Sequence, residues 1–315
     1  MNRTSSELSP QGILGVVQTP FTESGAIDWE SHERLVLDAL EAGADGFLVP
    51  AVASENAYLA FEEKIELATH VQRIAEGRAP IVWGAGTFDP QEILRVADHA
   101  AKHDALALLV AVSPELYREQ DRIVPYFQDL SEKTTVPLMI QDWDPGGQGM
   151  RIEVILELFE KIETFKYLKI ETIPAGPKYT AVLDATQGRL HVSGGWAVSQ
   201  MIEALDRGVH AMIPESSMIR IYHRIDRLYS SGKREEAGNL FNRLIPVLAF
   251  TNQQLDVSIR FFKRLLCRKG IFNTEICRVQ TPPFDSYGLR IADELIERVL
   301  ELEGEVEEPL PPIPK

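Results

Sequence analysis

Lys169 stands in the run Tyr167-Leu168-Lys169-Ile170-Glu171, a charge in the middle of an apolar, β-prone stretch. Side chains of an extended strand alternate faces, so Leu168 and Ile170 share one side while Tyr167, Lys169 and Glu171 share the other. An ammonium on the inner face of a sheet is costly unless it is paired or neutral. A desolvated, partly neutral amine is also what imine formation with a carbonyl requires. The same five residues admit a second reading, an edge-strand lysine exposed to water with its stem along apolar surface.

The elements around the lysine bear on that choice. From residue 12 onward, short β-rich runs alternate with amphipathic helical segments, the rhythm of βα units and a parallel sheet. Strands are predicted at Ile13 to Gln18, Gly46 to Ala51, Ile81 to Gly84, Ala107 to Val112, Pro137 to Asp142, Tyr167 to Glu171, Leu190 to Gly194 and Ala211 to Pro214. Eight such units indicate an α/β fold, a (β/α)8 TIM barrel. A doubly wound sheet is the alternative, but no Gly-x-Gly-x-x-Gly follows the first strand, and Gly84-Ala85-Gly86 reads as a tight βα turn. After residue 232 the alternation stops. Helices are expected at Arg234 to Phe250, Asn252 to Lys269 and Ser286 to Leu302. The predicted organisation is a polar segment over 1–11, the barrel over 12–232, a helical extension over 233–302 and a loose acidic, proline-rich tail over 303–315.

Barrel enzymes carry their chemistry at the C-terminal ends of the strands. That rule selects Lys169 and Glu171 on the sixth strand, with the lysine in the lumen, and Gln141 and Asp142 on the fifth. It also selects Ala51 to Glu55 after the second strand, Ser193-Gly194-Gly195 at the seventh and Ile213 to Glu215 at the eighth. Glycine at the seventh strand leaves room for a ligand. Trp143 and Trp196 flank the expected mouth, where they either shape a pocket or pack. The histidines show no paired spacing, so neither a metal site nor a Ser-His-Asp arrangement is expected.

The formal charge of −15 and a pI near 5.0 argue against nucleic-acid or anionic-membrane partners, and an anionic substrate must then meet a local positive group. Only Cys267 and Cys277 are present, without metal-ligand spacing, which fits a reducing compartment. The N-terminus lacks a hydrophobic signal core and no run reaches the length of a membrane span. A cytoplasmic protein is expected.

Several short motifs occur in a shared order. They are Thr19-Pro20-Phe21, Gly25-Ala26-Ile27-Asp28, Gly43-Ala44-Asp45-Gly46, Leu59 with Glu62-Glu63, Gly84-Ala85-Gly86-Thr87, Pro114, Lys169, and then Lys263, Gly270, Arg278 and Pro282. Over nearly its whole length the chain thereby resembles the dihydrodipicolinate synthase / N-acetylneuraminate lyase family, class I aldolases that work through a Schiff base. The resemblance implies that Lys169 forms the imine with a 2-oxo acid and that no cofactor is needed beyond that covalent imine. It also implies that Ile213 presents a backbone carbonyl to the imine, that Glu55 is mainly structural, and that the protein is a homotetramer or homodimer.

The chain departs from the family pattern at four places. Ala51-Val52-Ala53-Ser54-Glu55 stands where the family has Gly-Thr-Thr-Gly-Glu, so the substrate carboxylate is left to the amides around Ala53 and Ser54 and the Ser54 hydroxyl. Gln141 aligns with the family's proton-relaying tyrosine, and glutamine is neither a general acid nor a general base. The synthases' arginine after the fifth strand has no counterpart in the acidic Asp142-Trp143-Asp144-Pro145-Gly146-Gly147, and the neighbouring tyrosine is displaced to Tyr117. The expectation is a lyase acting on a small 2-oxo acid by aldol cleavage, condensation or dehydration, other than a true dihydrodipicolinate synthase. Asp142 and Glu171 are the candidates for the missing relay. The alternative is a non-catalytic or regulatory relative that binds a small acid.

Overall fold

Each predicted strand places its apolar residues on alternating sides, and the chain satisfies both sides by closing the sheet. The computed structural model describes residues 10–306 except 145, 196 and 197. Trp196, expected at the mouth, lies outside the described residues, as do Pro145 and positions 307–315 of the tail. Eight parallel strands form a closed barrel in chain order: β1 (Gly12–Val16), β2 (Gly46–Val49), β3 (Ile81–Gly84), β4 (Ala107–Ala111), β5 (Leu138–Asp142), β6 (Phe165–Ile170), β7 (His191–Gly194) and β8 (Ala211–Met212). Leu14, Leu48, Val82, Leu109, Met139 and Tyr167 fill the lumen. Ile13, Phe47, Trp83, Leu108, Ile140 and Leu168 pack outward against the helix layer. The (β/α)8 expectation holds.

The helices of the barrel layer are α1 (Trp29–Glu41), α2 (Phe61–Ala75), α3 (Pro90–Lys102), α4 (Pro114–Arg118), α5 (Ile123–Ser131), α6 (Ile152–Lys161), α7 (Gly176–Thr186), α8 (Met201–Asp206) and α9 (Ile219–Ser230). Local chemistry sets their starts. The Asp28 carboxylate accepts from the Ser31 amide at 3.1 Å, and Asp89 accepts from Gln91 at 2.8 Å just ahead of Pro90, which fills the first helical position. Gly84 is glycine because a Cβ there would lie 1.8 Å from the Pro50 carbonyl oxygen.

Several element ends differ from expectation, the first and eighth strands closing earlier at Val16 and Met212 and the helix expected from Asn252 starting at Leu255, and two of the differences have a clear physical reason. β6 begins at Phe165 because the register with β5 slips between Leu138 and Met139, leaving Lys166 as an extra residue turned to solvent. Beyond that irregularity the alternation is regular. The exposed-lysine reading therefore describes Lys166, whereas Lys169 is 2% exposed. The last helix also outruns the predicted Leu302, because Glu303 pairs with Lys269 at 2.9 Å and is covered.

The three helices after the barrel are α10 (Arg234–Thr251), α11 (Leu255–Arg268) and α12 (Ser286–Val306). They do more than append to the barrel, because α11 lies over its mouth. Lys263 of α11 forms a buried ion pair with Glu55, donates to the Ile276 carbonyl at 2.8 Å and sits 4.2 Å above the Phe21 ring. The Glu55 carboxylate also accepts from the Arg278 and Val279 amides at 2.6 and 3.0 Å. Its backbone is left-handed, with φ of 59°. Glu55 is thus a structural tie between the loop after β2 and the extension. Removing one partner of a buried pair strands the other charge, at about 3–5 kcal/mol. Glu55→Ala is expected to lose stability of about that size in urea denaturation, with part of it restored in the Glu55→Ala/Lys263→Met double variant. A loss below about 1 kcal/mol, the range of exposed pairs, would show that the tie does not hold the mouth closed.

Candidate active site

The alternation along β6 carries Lys169 into the lumen, and the register sets its neighbours: Gln141 of β5 on one side and Ser193 of β7 on the other. The strand ends at Ile170, and the next residue folds its side chain back toward the lysine. Lys169 Nζ lies 2.6 Å from Glu171 Oε1, with both side chains 3% exposed. The second Glu171 oxygen accepts from Gln141 Nε2 at 2.5 Å. Lys169, Glu171 and Gln141 are thus brought together as one chain of contacts, with Gln141 holding the carboxylate rather than touching the amine.

A cavity of about 40 Å³ borders Lys169 and Glu171, walled by Val16, Ala53, Ile213 and Glu215, and roofed by Asn252, Leu255, Ser258 and Phe262 of the extension. Ala51, Val52 and Leu255 are shared with a second cavity of about 460 Å³ that opens toward the rim and also touches Gln141 and Trp143. Ala53 and Ile213 thus line the cavity that borders Lys169. Ser54 does not offer its hydroxyl. Ser54 Oγ donates to the Val17 carbonyl at 2.5 Å and accepts from the Ala51 amide at 3.0 Å, while the Ser54 amide donates to Ala51 at 2.9 Å. Those bonds close a short 3-10 turn over Val52–Ser54. The amides of Val52 and Ala53 precede the first internal bond of that turn, and are the donors available to an anion.

The glycine that makes room is Gly195 rather than Gly194. A Cβ at Gly195 would lie 2.2 Å from Glu171 Oε1 and 2.8 Å from Lys169 Nζ, whereas one at Gly194 would meet the Tyr179 hydroxyl and Met212 on the helix side. Asp142 is likewise turned away, as strict alternation from Gln141 demands. Its carboxylate accepts from Lys178 Nζ at 2.6 Å, the Tyr117 hydroxyl at 3.0 Å and the Met150 amide at 2.9 Å. Burial pushes its pKa up against the pull of Lys178. Asp142 and Tyr117 thus brace the loop after β5 and are not gathered at Lys169.

Glu215 is the residue to which sequence reasoning gave no role, although it ended the stretch selected at the eighth strand. Its Oε2 accepts from Gln18 Nε2 and the Ser217 amide, each at 2.6 Å, while Oε1 is buried without a partner among the described residues. Burial raises its pKa to about 7, against the pull of those donors. A carboxyl directly after Pro214 was the available signal; its complete burial came from the bridge that joins Glu215 to Val16 beyond the end of β8.

The larger cavity is lined by Leu109, Ala111, Trp143, Leu255, Ile259 and Val279, with Tyr58 and Phe88 at its rim. No lysine or arginine is among the described residues that line it. No group of three His, Cys, Asp or Glu among the described residues is arranged to hold a metal, and no helix is long and apolar enough to cross a membrane.

Known proteins share this architecture. The model of the dihydrodipicolinate synthetase family matches residues 9–295. The 4-hydroxy-tetrahydrodipicolinate synthase of Limosilactobacillus fermentum is 29% identical over 204 residues, covering 60% of this chain and 65% of that protein. Alignments with two further synthases, from Lactobacillus acidophilus and Streptomyces coelicolor, span about half of each relative's length, 51% and 49%. The L-2-keto-3-deoxyarabonate dehydratase of Azospirillum brasilense is 23% identical over 286 residues, 89% of this chain and 91% of that one. Among solved structures, the dihydrodipicolinate synthase of Rhodopseudomonas palustris superposes with a TM-score of 0.85 at 22% identity, over 92% of this chain and 99% of that chain. With the family model matched across the whole barrel and into the extension, the chain belongs to the dihydrodipicolinate synthetase family.

Proposed function

We propose that the protein is a lyase in which Lys169 forms a Schiff base with a small 2-oxo acid, and that the imine then serves aldol cleavage, condensation or dehydration. One observation carries the reading: Lys169 Nζ is buried 2.6 Å from Glu171, in a pair for which Gly195 leaves room, and both side chains border a cavity. Glu171 takes a proton from the ammonium, and the neutral amine attacks the carbonyl carbon. The same carboxyl returns a proton to the carbinolamine hydroxyl, which leaves as water. Gln141 holds the second carboxylate oxygen, so the relay that a tyrosine would provide is supplied from the neighbouring strand. The Val52 and Ala53 amides bind the substrate carboxylate, and Ile213 presents its carbonyl beside the imine. No organic or metal cofactor enters the scheme, because the protonated imine is itself the electron sink.

A non-catalytic small-acid binder would have little reason to bury a lysine, which is costly even when paired, and the enzyme reading is preferred on that ground. The cavity beyond Gln141 has no cation among its described residues for the carboxylate of a second substrate, which favours a reaction other than 4-hydroxy-tetrahydrodipicolinate synthesis. On the same reading the protein is cytoplasmic and assembles as a homotetramer or homodimer, as its relatives commonly do.

Incubation with pyruvate or a related 2-oxo acid and borohydride is expected to add the mass of one acid less one oxygen atom, water being lost and two hydrogens gained, to the peptide bearing Lys169, and to add nothing in Lys169→Ala. No adduct across a panel of such acids would sink the proposal. Glu215 gives an independent check on the polar wall. Its pKa is about 7 in the folded protein against an ordinary 4.5, so folding takes up a proton between those values and stability falls as pH rises through that window. Glu215→Gln, which cannot ionise, should exceed the parent by about 3 kcal/mol at pH 8 and lose that advantage near pH 4.5 in urea titrations. An offset independent of pH would mean that Glu215 is ionised in its cavity.

A further inference from the structure

We infer that the substrate's distal portion is apolar and of aromatic size, and that the protein cleaves a 4-hydroxy-2-oxo acid reversibly into pyruvate and an apolar aldehyde. This rests on the Schiff-base reading of Lys169 and adds the substrate class. The observation is the cavity of about 460 Å³ that lies beside the lysine's own cavity and shares Ala51, Val52 and Leu255 with it. Gln141 lines it and bonds to Glu171, which contacts Lys169, so this is the neighbouring space that can take the distal end of a substrate anchored as an imine.

The walls decide what that end is. Leu109, Ala111, Ile259 and Val279 make an apolar inner surface, and Trp143 adds an aromatic side chain. At the rim Tyr58 and Phe88 are 39% and 50% exposed, aromatic surface that a ligand would cover. An apolar cavity of about 150 Å³ already takes a benzene ring, so the space suffices for a ring-bearing substituent. A second carboxylate is disfavoured: its burial costs several kcal/mol without a partner cation. The acidic groups of the lining, Glu55 and Asp256, offer none, and the Glu55 carboxylate is already spent on Lys263 and two amides. A polyhydroxylated chain fares little better. Asn56 and Thr87 could meet one or two hydroxyls, while Gln141 is held by Glu171, and each further unpaired hydroxyl would lose its water for nothing.

The chemistry balances without a co-reactant. Imine formation expels water. The 4-hydroxyl gives up its proton to the Glu171 carboxylate, the C3–C4 bond breaks with its electron pair passing into the iminium as the enamine, and the aldehyde leaves. The enamine then takes that proton back from Glu171 at C3, and water hydrolyses the imine to free pyruvate and regenerate the lysine. In the reverse direction the enamine of pyruvate attacks the aldehyde.

The test combines catalysis with a binding probe that cannot form an imine. Pyruvate condensation is measured with benzaldehyde, succinic semialdehyde and glyceraldehyde, and calorimetry compares 4-phenylbutanoate with adipate. The expected result is a kcat/KM at least about 100-fold higher for benzaldehyde, from the several kcal/mol that separate a buried ring from a buried charge, and binding of 4-phenylbutanoate at least tenfold tighter than adipate. Phe88→Glu, at the exposed rim, should weaken 4-phenylbutanoate about tenfold and leave the pyruvate–borohydride adduct on Lys169 intact. An adduct with pyruvate but a preference for the charged or hydroxylated aldehyde would overturn the substrate class and leave the Schiff-base reading standing. Absence of the adduct would sink the Schiff-base reading and with it the aldol cleavage; 4-phenylbutanoate binding would then support the apolar subsite alone. A Phe88→Glu variant that changes oligomeric state without changing probe affinity would assign the aromatic rim to an interface between copies and overturn the inference.

Discussion

The buried ion pair between Lys169 and Glu171 is the constraint around which the barrel's mouth is arranged. Leaving an ammonium unpaired in the apolar lumen would cost several kcal/mol, and moving a carboxylate next to it is favourable only if the carboxylate's remaining lone pairs are also met. Gln141 meets them from β5. The pair also fixes which residue can follow β7, because any side chain at Gly195 would collide with Glu171 and Lys169. One interaction thus accounts for the strand-five glutamine, the strand-six carboxylate and the strand-seven glycine together. A lysine held this way has its counterion 2.6 Å from the amine.

The second organising contact is at the roof. Glu55, set in a left-handed turn beyond β2, binds Lys263 and the Arg278 and Val279 amides, and so draws α11 across the barrel. Arg278 extends the tie to Glu63 at 2.7 Å and to the Gly25 carbonyl at 2.8 Å. The extension contributes Leu255 to both cavities and Ser258 and Phe262 to the one at Lys169. Water exclusion at the lysine therefore depends on the same residues that hold the C-terminal helices in place, which links the stability of the fold to the protonation chemistry of the site.

The barrel was legible because its signal is repetitive: alternation of period two within strands, amphipathic helices between them, and eight repeats in chain order. The luminal placement of Lys169 followed from the same alternation, with Leu168 and Ile170 outward. What the alternation could not convey was the behaviour of chain beyond the strand ends. Glu171 and Asp142 look alike in sequence, yet Glu171 lies past the end of β6 and curls back to the lysine, while Asp142 is still inside β5 and is turned outward to Lys178. Ser54 looked available to a ligand because its hydroxyl is polar, but closing the tight turn consumes it. Gly194 and Gly195 are adjacent and chemically identical, so only the direction of the missing Cβ separates them. Glu215 escaped notice because its burial goes with a bridge from the first strand to chain beyond the end of the last, a pairing of residues far apart in sequence.

These contacts make one claim about chemistry: Glu171 performs the proton transfers that a tyrosine performs elsewhere in the family. The most direct measurement is the pre-steady-state rate at which borohydride-trappable pyruvate imine forms on Lys169, followed against pH in the parent and in Glu171→Gln. The account predicts that at pH 7 the variant traps imine about 100-fold more slowly or worse, the usual contribution of a positioned acid–base group, and converges on the parent as hydroxide takes over the deprotonation. Equal rates in the two proteins across the pH range would contradict it.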